Sequence, residues 1–315
     1  MRDQIGRTGH RFGAHLSIAG GVQHALVAAL RLGCDAVQVF VRNQRQWRAN
    51  PLDPDDVARW HELRATPGFG PVVAHAGYLI NVASPDPALL ARSRAALAEE
   101  LARCDTLKIP YLVLHPGSAM NAPRNQAVAR VAAAINRVLG RFPSSRTTLL
   151  LETTAGQGTA LGRSFAELGT IMALIEQPQR VGVCIDTCHV FAAGYDIRQP
   201  AAYAAMVEDA ARTVGLKHIR CWHLNDSLGK CGGRLDRHAH IGRGRLGVAG
   251  FRNVLADARF AGLPMIIETP KGADDAGRDW DRVNLRRLRT IARQVAAAGG
   301  SDDNRPCGSS RGVPI

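Results

Sequence analysis

Eight short apolar runs, each separated from the next by a stretch long enough to hold a helix, limit most strongly how this chain can fold. They are FGAHLSI (12–18), AVQVFV (36–41), PVVAHAG (71–77), YLVLHPG (111–117), TLLLETT (148–154), VGVCIDT (181–187), IRCWHLND (219–226) and MIIETP (265–270). Each has the length and β-branched content of a buried strand, and most are flanked by Gly or Pro. Segments with helical patterning lie between them, such as SRAALAEELARCDTL (93–107) and NQAVARVAAAINRVLGRF (125–142). Strands alternating with helices make a parallel sheet, and eight is the number that closes a (β/α)8 TIM barrel. A doubly wound open sheet is the alternative. No linker divides the chain, so residues 11–298 are expected to form one barrel domain. A flexible N-terminus (1–10) and a disordered tail (299–315) without periodicity are expected to flank it.

In six of the eight runs a side chain able to bind metal stands near the C-terminal end: His75, His115, Glu152, Asp186, His223 and Glu268. Strand alternation sets where they point. In VGVCIDT, Val181, Val183 and Ile185 face the helices, whereas Gly182, Cys184 and Asp186 face the barrel interior. The same parity turns Leu149, Leu151, Trp222 and Ile267 outward, and Glu152, His223 and Glu268 inward. Carboxylates and imidazoles gathered at one end of a barrel repel one another and lose hydration, a cost that bound cations remove. Any one of them reads equally well as a hydrogen-bonded polar group; six together point to metal. Imidazole and carboxylate without paired thiolates suit zinc, and manganese or iron also fit. The C-terminal face of the strands is where barrel enzymes hold their chemistry.

Two local pairs enlarge the set. Asp186 and His189, in DTCH, stand three apart where the sixth strand turns into a loop, so both can reach the same space. Asp236 and His238, in LDRHAHIG, are spaced on a loop after strand seven to chelate one ion from the same side. His240 precedes the loop glycines Gly242, Gly244 and Gly247 and is left outside the site. His10, His24, His61 and His218 lack acidic neighbours at strand ends and read as surface or structural residues; His15, near the end of strand one, stands at the margin of the set. Cys184, Cys188 and Cys221 lie close to these residues and could bind zinc, but with nine oxygen and nitrogen ligands already available they read as interior or packing thiols. The seven cysteines form no C-x-x-C pair, which argues against a disulfide framework and for reduced thiols in the cytoplasm.

The formal net charge is +13, and of the 40 basic residues four are lysine and 36 arginine. Such a surplus favours a polyanionic partner, nucleic acid first. No window is apolar enough to span a membrane, and the N-terminus has no export signal.

The stretches GAHLSIAGG, NQRQW, HAGYLIN, HPGS, LLETTAGQGT, IDTCHVFAAGYD, HLNDS, DRHAHIGRGRLG and ETP, in that order from about residue 13 to 270, resemble the endonuclease IV family of zinc-dependent apurinic/apyrimidinic endonucleases. The resemblance implies three zinc ions per chain, with manganese able to substitute at one. His75, His115 and Glu152 would hold the first; Glu152 would bridge to the second with Asp186, His223 and Glu268; His189, Asp236 and His238 would hold the third. It also implies hydrolysis of the DNA backbone 5′ to an abasic site, leaving a 3′-hydroxyl and a 5′-deoxyribose phosphate, and trimming of blocked 3′ ends. Glu268 and Glu152 would be the catalytic carboxylates, Glu268 orienting or deprotonating the attacking water. Arg45, Gln46, Tyr78 and Leu79 match the positions with which the family enters double-stranded DNA and holds the abasic nucleotide flipped out. The chain is expected to act as a monomer. Arg243 departs from the family pattern, where an acidic residue is expected, and the 299–315 extension has no counterpart. The rival readings are a xylose isomerase-like sugar isomerase or epimerase, which needs no third His-Asp-His set, and a non-catalytic DNA-binding protein, which leaves nine convergent ligands without a use.

Overall fold

The structure is a computed structural model and describes residues 9–299. The strands are β1 (Arg11–Leu16), β2 (Ala36–Phe40), β3 (Val72–His75), β4 (Tyr111–Leu114), β5 (Thr148–Glu152), β6 (Val181–Asp186) and β7 (Ile219–His223). A small ribbon, β8 (Asp226–Ser227) with β9 (His238–Ala239), precedes the last strand, β10 (Pro264–Ile267). Eight strands close into a barrel in the order β1-β10-β7-β6-β5-β4-β3-β2. Every barrel pairing is parallel. β1 pairs with both β2 and β10, so the sheet has no free edge and is a closed barrel rather than an open sheet.

The helices are α1 (Gln23–Leu32), α2 (Pro54–Arg64), α3 (Pro87–Thr106), α4 (Arg124–Leu139), α5 (Phe165–Ala173), α6 (Thr187–Ala193), α7 (Pro200–Thr213), α8 (Gly247–Ala256) and α9 (Trp280–Gly299). Asp53 and Asp86 start α2 and α3: each carboxylate accepts from first-turn amides, and each precedes a proline whose missing N–H is no loss there.

Side-chain parity divides the core into two. Val181, Val183, Ile185, Leu149, Leu151, Trp222 and Ile267 pack in the layer between strands and helices. Ala36, Val73, Val113, Leu150, Cys184, Cys221 and Ile266 form a separate cluster that fills the barrel. Both memberships follow the alternation read from the strand sequences. Gly13 lets β1 close on β2, since a Cβ there would stand 2.2 Å from the Ala36 carbonyl oxygen.

The strands are shorter than the apolar runs. β10 ends at Ile267, so Glu268 lies one residue past it, still on the inward side. The segment between Asp226 and Ala239 is a ribbon rather than a plain loop, with Ser227 paired to His238. The six described cysteines are free thiols and five are buried. Among the described residues no helix is long and apolar enough to cross a membrane. Of the segments expected to be unstructured, 1–8 and 300–315 lie outside the described residues. His10, in contrast, is held: its Nε2 bonds the Leu255 carbonyl at 3.0 Å.

Candidate metal centre

Glu152, at the end of β5, is fully buried and stands at the middle of the strand ends. Its Oε2 is 3.1 Å from His75 Nε2 and 2.9 Å from His115 Nε2. Its Oε1 is 3.0 Å from His223 Nδ1 and 3.3 Å from His189 Nδ1. Among the described residues five groups of donor atoms lie within 4.8 Å of one another. Two include cysteine (Cys184, Cys221 and His223; Asp186, Cys188 and His238). Three consist of imidazole and carboxylate alone: His75, His115 and Glu152; Glu152, Asp186, His223 and Glu268; and His189, Asp236 and His238. All nine residues singled out for metal are therefore brought together.

The donors suit cations in spacing and in orientation. Ligands at 2.0–2.1 Å in a tetrahedron stand about 3.3 Å from one another. His189 Nε2 and His238 Nε2 lie 3.1 and 3.5 Å from Asp236 Oδ1. Both nitrogens are buried without a hydrogen-bond partner, and they aim at that carboxylate. On the far side of each ring, an oxygen accepts from the other nitrogen. His75 Nδ1 donates to the Ala76 carbonyl (2.8 Å), His189 Nδ1 to that of Thr153 (2.8 Å), His238 Nδ1 to that of Glu268 (3.1 Å), and His223 Nε2 to Gln38 Oε1 (2.8 Å). These bonds fix the tautomer that presents a bare lone pair inward.

Charge supports the same conclusion. Burial would raise the Glu152 carboxyl, but the imidazoles of His115 and His223 outweigh it and hold the group well below the usual range. Asp236 likewise falls to about 2, burial being overcome by His189. Burial pulls His189 down, but Asp186 and Asp236 carry it well above the usual imidazole value. A field this negative holds protons on imidazole and would hold metal cations in their place.

Local structure positions the donors. Asp186 ends β6 and caps α6, its Oδ1 accepting from the His189 amide at 2.9 Å, which puts both DTCH side chains over the barrel end. Three further residues, not assigned to the site from sequence, complete it. Gln38, buried on β2, donates to Glu268 Oε1 at 2.6 Å and accepts from His223. His15 Nδ1 stands 3.1 Å from the same Glu268 oxygen. Asn225 donates to Asp186 at 2.6 Å and accepts from the Glu268 amide at 2.7 Å. Gln38 carried a signal, as the one polar residue in AVQVFV and on the parity of interior Ala36. Cys184 and Cys221 sit in the barrel cluster beneath. Burial pushes the Cys188 thiol up to about 12, so it stays protonated.

Over the donors opens a cavity of about 830 Å³, with Tyr78, His115, Asp236, Arg237 and Lys271 on its walls. Tyr78 is 66% exposed and meets Phe40 edge-on at 5.3 Å, a bulky aromatic ring held out toward solvent at the rim. Arg45 and Gln46 are exposed on the neighbouring loop, outside the cavity wall, which Arg42, Asn43 and Gln44 line instead; Leu79 is half-buried. Arg42 is drawn inward by Glu99 at 2.8 Å and Glu100 at 3.6 Å, and donates to the Gln46 carbonyl. Glu100 also accepts from the Gly77 amide at 3.2 Å, so one buried pair ties the loops after β2 and β3 together.

A family profile described as a xylose isomerase-like TIM barrel matches residues 26–291. A protein named probable endonuclease 4 from Chloroflexus aggregans is 50% identical over 287 residues, which cover 91% of this chain and 99% of the relative. The crystal structure of endonuclease IV from Thermus thermophilus matches with a TM-score of 0.79 at 37% identity, over 90% of this chain and 99% of that one. A D-tagatose 3-epimerase-like protein matches with a TM-score of 0.70 at 18% identity, over 92% and 99% of the two chains, which is a likeness of fold alone. The chain belongs to the endonuclease IV family of xylose isomerase-like TIM barrels.

Proposed function

We propose that this protein is a metal-dependent DNA-repair endonuclease that hydrolyses the phosphodiester 5′ to an abasic site, leaving a 3′-hydroxyl and a 5′-deoxyribose phosphate, and that it trims blocked 3′ ends. The observation that carries the reading is the convergence of nine imidazoles and carboxylates in three sets under one open cavity. His75, His115 and Glu152 would hold one zinc ion, Glu152 with Asp186, His223 and Glu268 a second, and His189, Asp236 and His238 a third. Bound there, the ions supply Lewis-acid stabilisation of the phosphate charge and acidify the attacking water. Glu268 orients that water and takes its proton, itself held by Gln38, His15 and Asn225. As water attacks phosphorus the bond to the 3′ oxygen breaks, and that oxygen leaves as the 3′-hydroxyl. The +13 charge favours a DNA strand over a neutral sugar, and the third donor set has no use in sugar isomerisation. The protein acts as a monomer in the cytoplasm.

Elemental analysis of protein purified without added metal is expected to find about three ions per chain, mainly zinc. The same preparation is expected to nick duplex DNA carrying one abasic site without added magnesium, and to lose that activity after chelation. One ion or none in folded, active protein would sink the trinuclear reading.

Arg45, Gln46, Tyr78 and Leu79 read the lesion: an abasic gap has no base to displace, so a ring at the rim finds room there. Arg45→Ala is expected to weaken cleavage of abasic duplex with unchanged metal content, by a factor that shrinks as salt rises. Tyr78→Ala, which removes no charge, is expected to give a loss that persists across salt. Titrations of abasic and intact duplex at two salt concentrations check both; unchanged preference for the abasic duplex in both variants would remove these loops from recognition.

A further inference from the structure

Across the barrel from the Tyr78 loop, the chain between β9 and α8 carries a feature with no part in the metal centre. His240 stacks on Trp280 with ring centroids 3.6 Å apart and planes at 12°. The Arg243 guanidinium lies 4.6 Å from the centroid of the same indole. Imidazole and guanidinium thus both lie over this one indole. The stack is joined to the cavity wall through Asn284, whose Nδ2 donates to Thr269 Oγ1 at 2.9 Å and lies 3.1 Å from His240 Nδ1. Thr269 lines the cavity beside Glu268.

The turn itself is rigidly seated. The Arg243 amide donates to the His240 carbonyl at 2.8 Å. Asp226 accepts from the amides of Gly244, Leu246 and Gly247 at 3.0–3.2 Å. A Cβ at Gly244 would stand 2.4 Å from that carboxylate, so the backbone can pass there only as glycine. Arg287, on α9, packs against the same turn: a Cβ at Gly242 would lie 2.8 Å from its guanidinium.

The charge here has no counterpart. Among the described residues no ion pair and no side-chain hydrogen bond includes Arg243 or Arg287, and both are exposed. Two nearby cations are paired, Lys271 with Asp281 at 2.8 Å and Arg278 with Asp274 at 2.6 Å. A guanidinium stacked on an indole uses its face, and its N–H groups stay free in the plane for a bidentate oxyanion. An uncompensated pair of arginines, one of them pre-oriented by stacking, suits phosphate.

We propose that Arg243 on Trp280, with Arg287 beside it, is a second DNA-contacting surface that grips backbone phosphates of the duplex flank opposite the Tyr78 side of the cavity. The proposal rests on the DNA-endonuclease reading above. Barrel order places the loops after β7 opposite those after β3, so a duplex seated over the cavity with Tyr78 at one rim crosses this shelf at the other. Phosphate contacts position a strand without reading its bases. Both arginines therefore contribute to intact and abasic duplex alike, in contrast to Tyr78.

The test is the salt dependence of duplex binding by Arg243→Gln, Arg287→Gln and the double variant, with the parental protein's cleavage of abasic duplex measured alongside. Each single variant is expected to lower the slope of log K against log salt by about 0.9, and the double variant by about 1.8. Affinity for abasic and intact duplex should fall by the same factor, and the loss in cleavage should fall on KM rather than kcat. Slopes equal to the parental slope in all three variants would overturn the proposal, as would a loss confined to abasic duplex. A parental protein that binds duplex with the expected slope but never cleaves it would instead sink the endonuclease reading and leave the shelf standing as a phosphate site.

Discussion

A Glu152→Gln variant is expected to purify with no more than one of its metal ions and to cleave abasic duplex at least about a thousandfold more slowly. The size of the effect follows from where this carboxylate stands. Each of its oxygens faces two imidazoles, with His75 and His115 on one side and His189 and His223 on the other. Replacing it with an amide takes one negative charge from the two donor sets that share it, and turns an N–H2 group toward imidazole nitrogens, His75 Nε2 or His223 Nδ1 among them, whose lone pairs should meet a cation. The third set, His189, Asp236 and His238, keeps its own carboxylate and should retain its ion. Elemental analysis beside single-turnover cleavage reads the two outcomes separately. A variant with full metal content and near-parental rate would remove Glu152 from the bridging position.

Glu268→Gln should behave differently. Its loss is expected in the chemical step, at least about a hundredfold in kcat, with DNA affinity changed by no more than about threefold. Glu268 is half-buried beside His223 at 3.1 Å, and Gln38 and Asn225 hold its carboxyl group and its backbone amide. Burial would raise this carboxyl, but His223 and His15 prevail and keep it well below the usual range, so it is ionised at neutral pH. Rapid-quench cleavage and equilibrium binding on the same preparation give the split. A variant that cuts at nearly the parental rate would end the assignment of Glu268 to the attacking water.

The two carboxylates were legible because a charged residue at the end of an apolar run contradicts its surroundings, and strand alternation then gives its direction. The same reasoning reached the barrel and both faces of VGVCIDT. It could not reach Asn225, a neutral side chain in a loop where polar residues are ordinary, although this amide joins Asp186 to Glu268. It left His15 at the margin because its partner stands 253 residues away. The ribbon of β8 and β9 has two residues on each side, too few for any alternation to register. Arg42 and Arg45 share a loop and a residue type, yet one is buried on Glu99 and Glu100 and the other is exposed. Only the acids of α3, far along the chain, distinguish them. The stack of Arg243 on Trp280 joins two segments with no shared period, and for the same reason nothing local announced it.

The donor sets are assembled from positions far apart in the chain, with Glu152 meeting His75 across 77 residues and His223 across 71. Apart from the local pairs Asp186–His189 and Asp236–His238, a nascent chain leaving the ribosome therefore presents its donors singly. The set of Glu152, Asp186, His223 and Glu268 is complete only once β10 has docked between β7 and β1 and brought Glu268 alongside. Loading of that set would follow barrel closure, so the choice of metal there would be made by a finished cage rather than by whichever ion first meets the unfolded polymer.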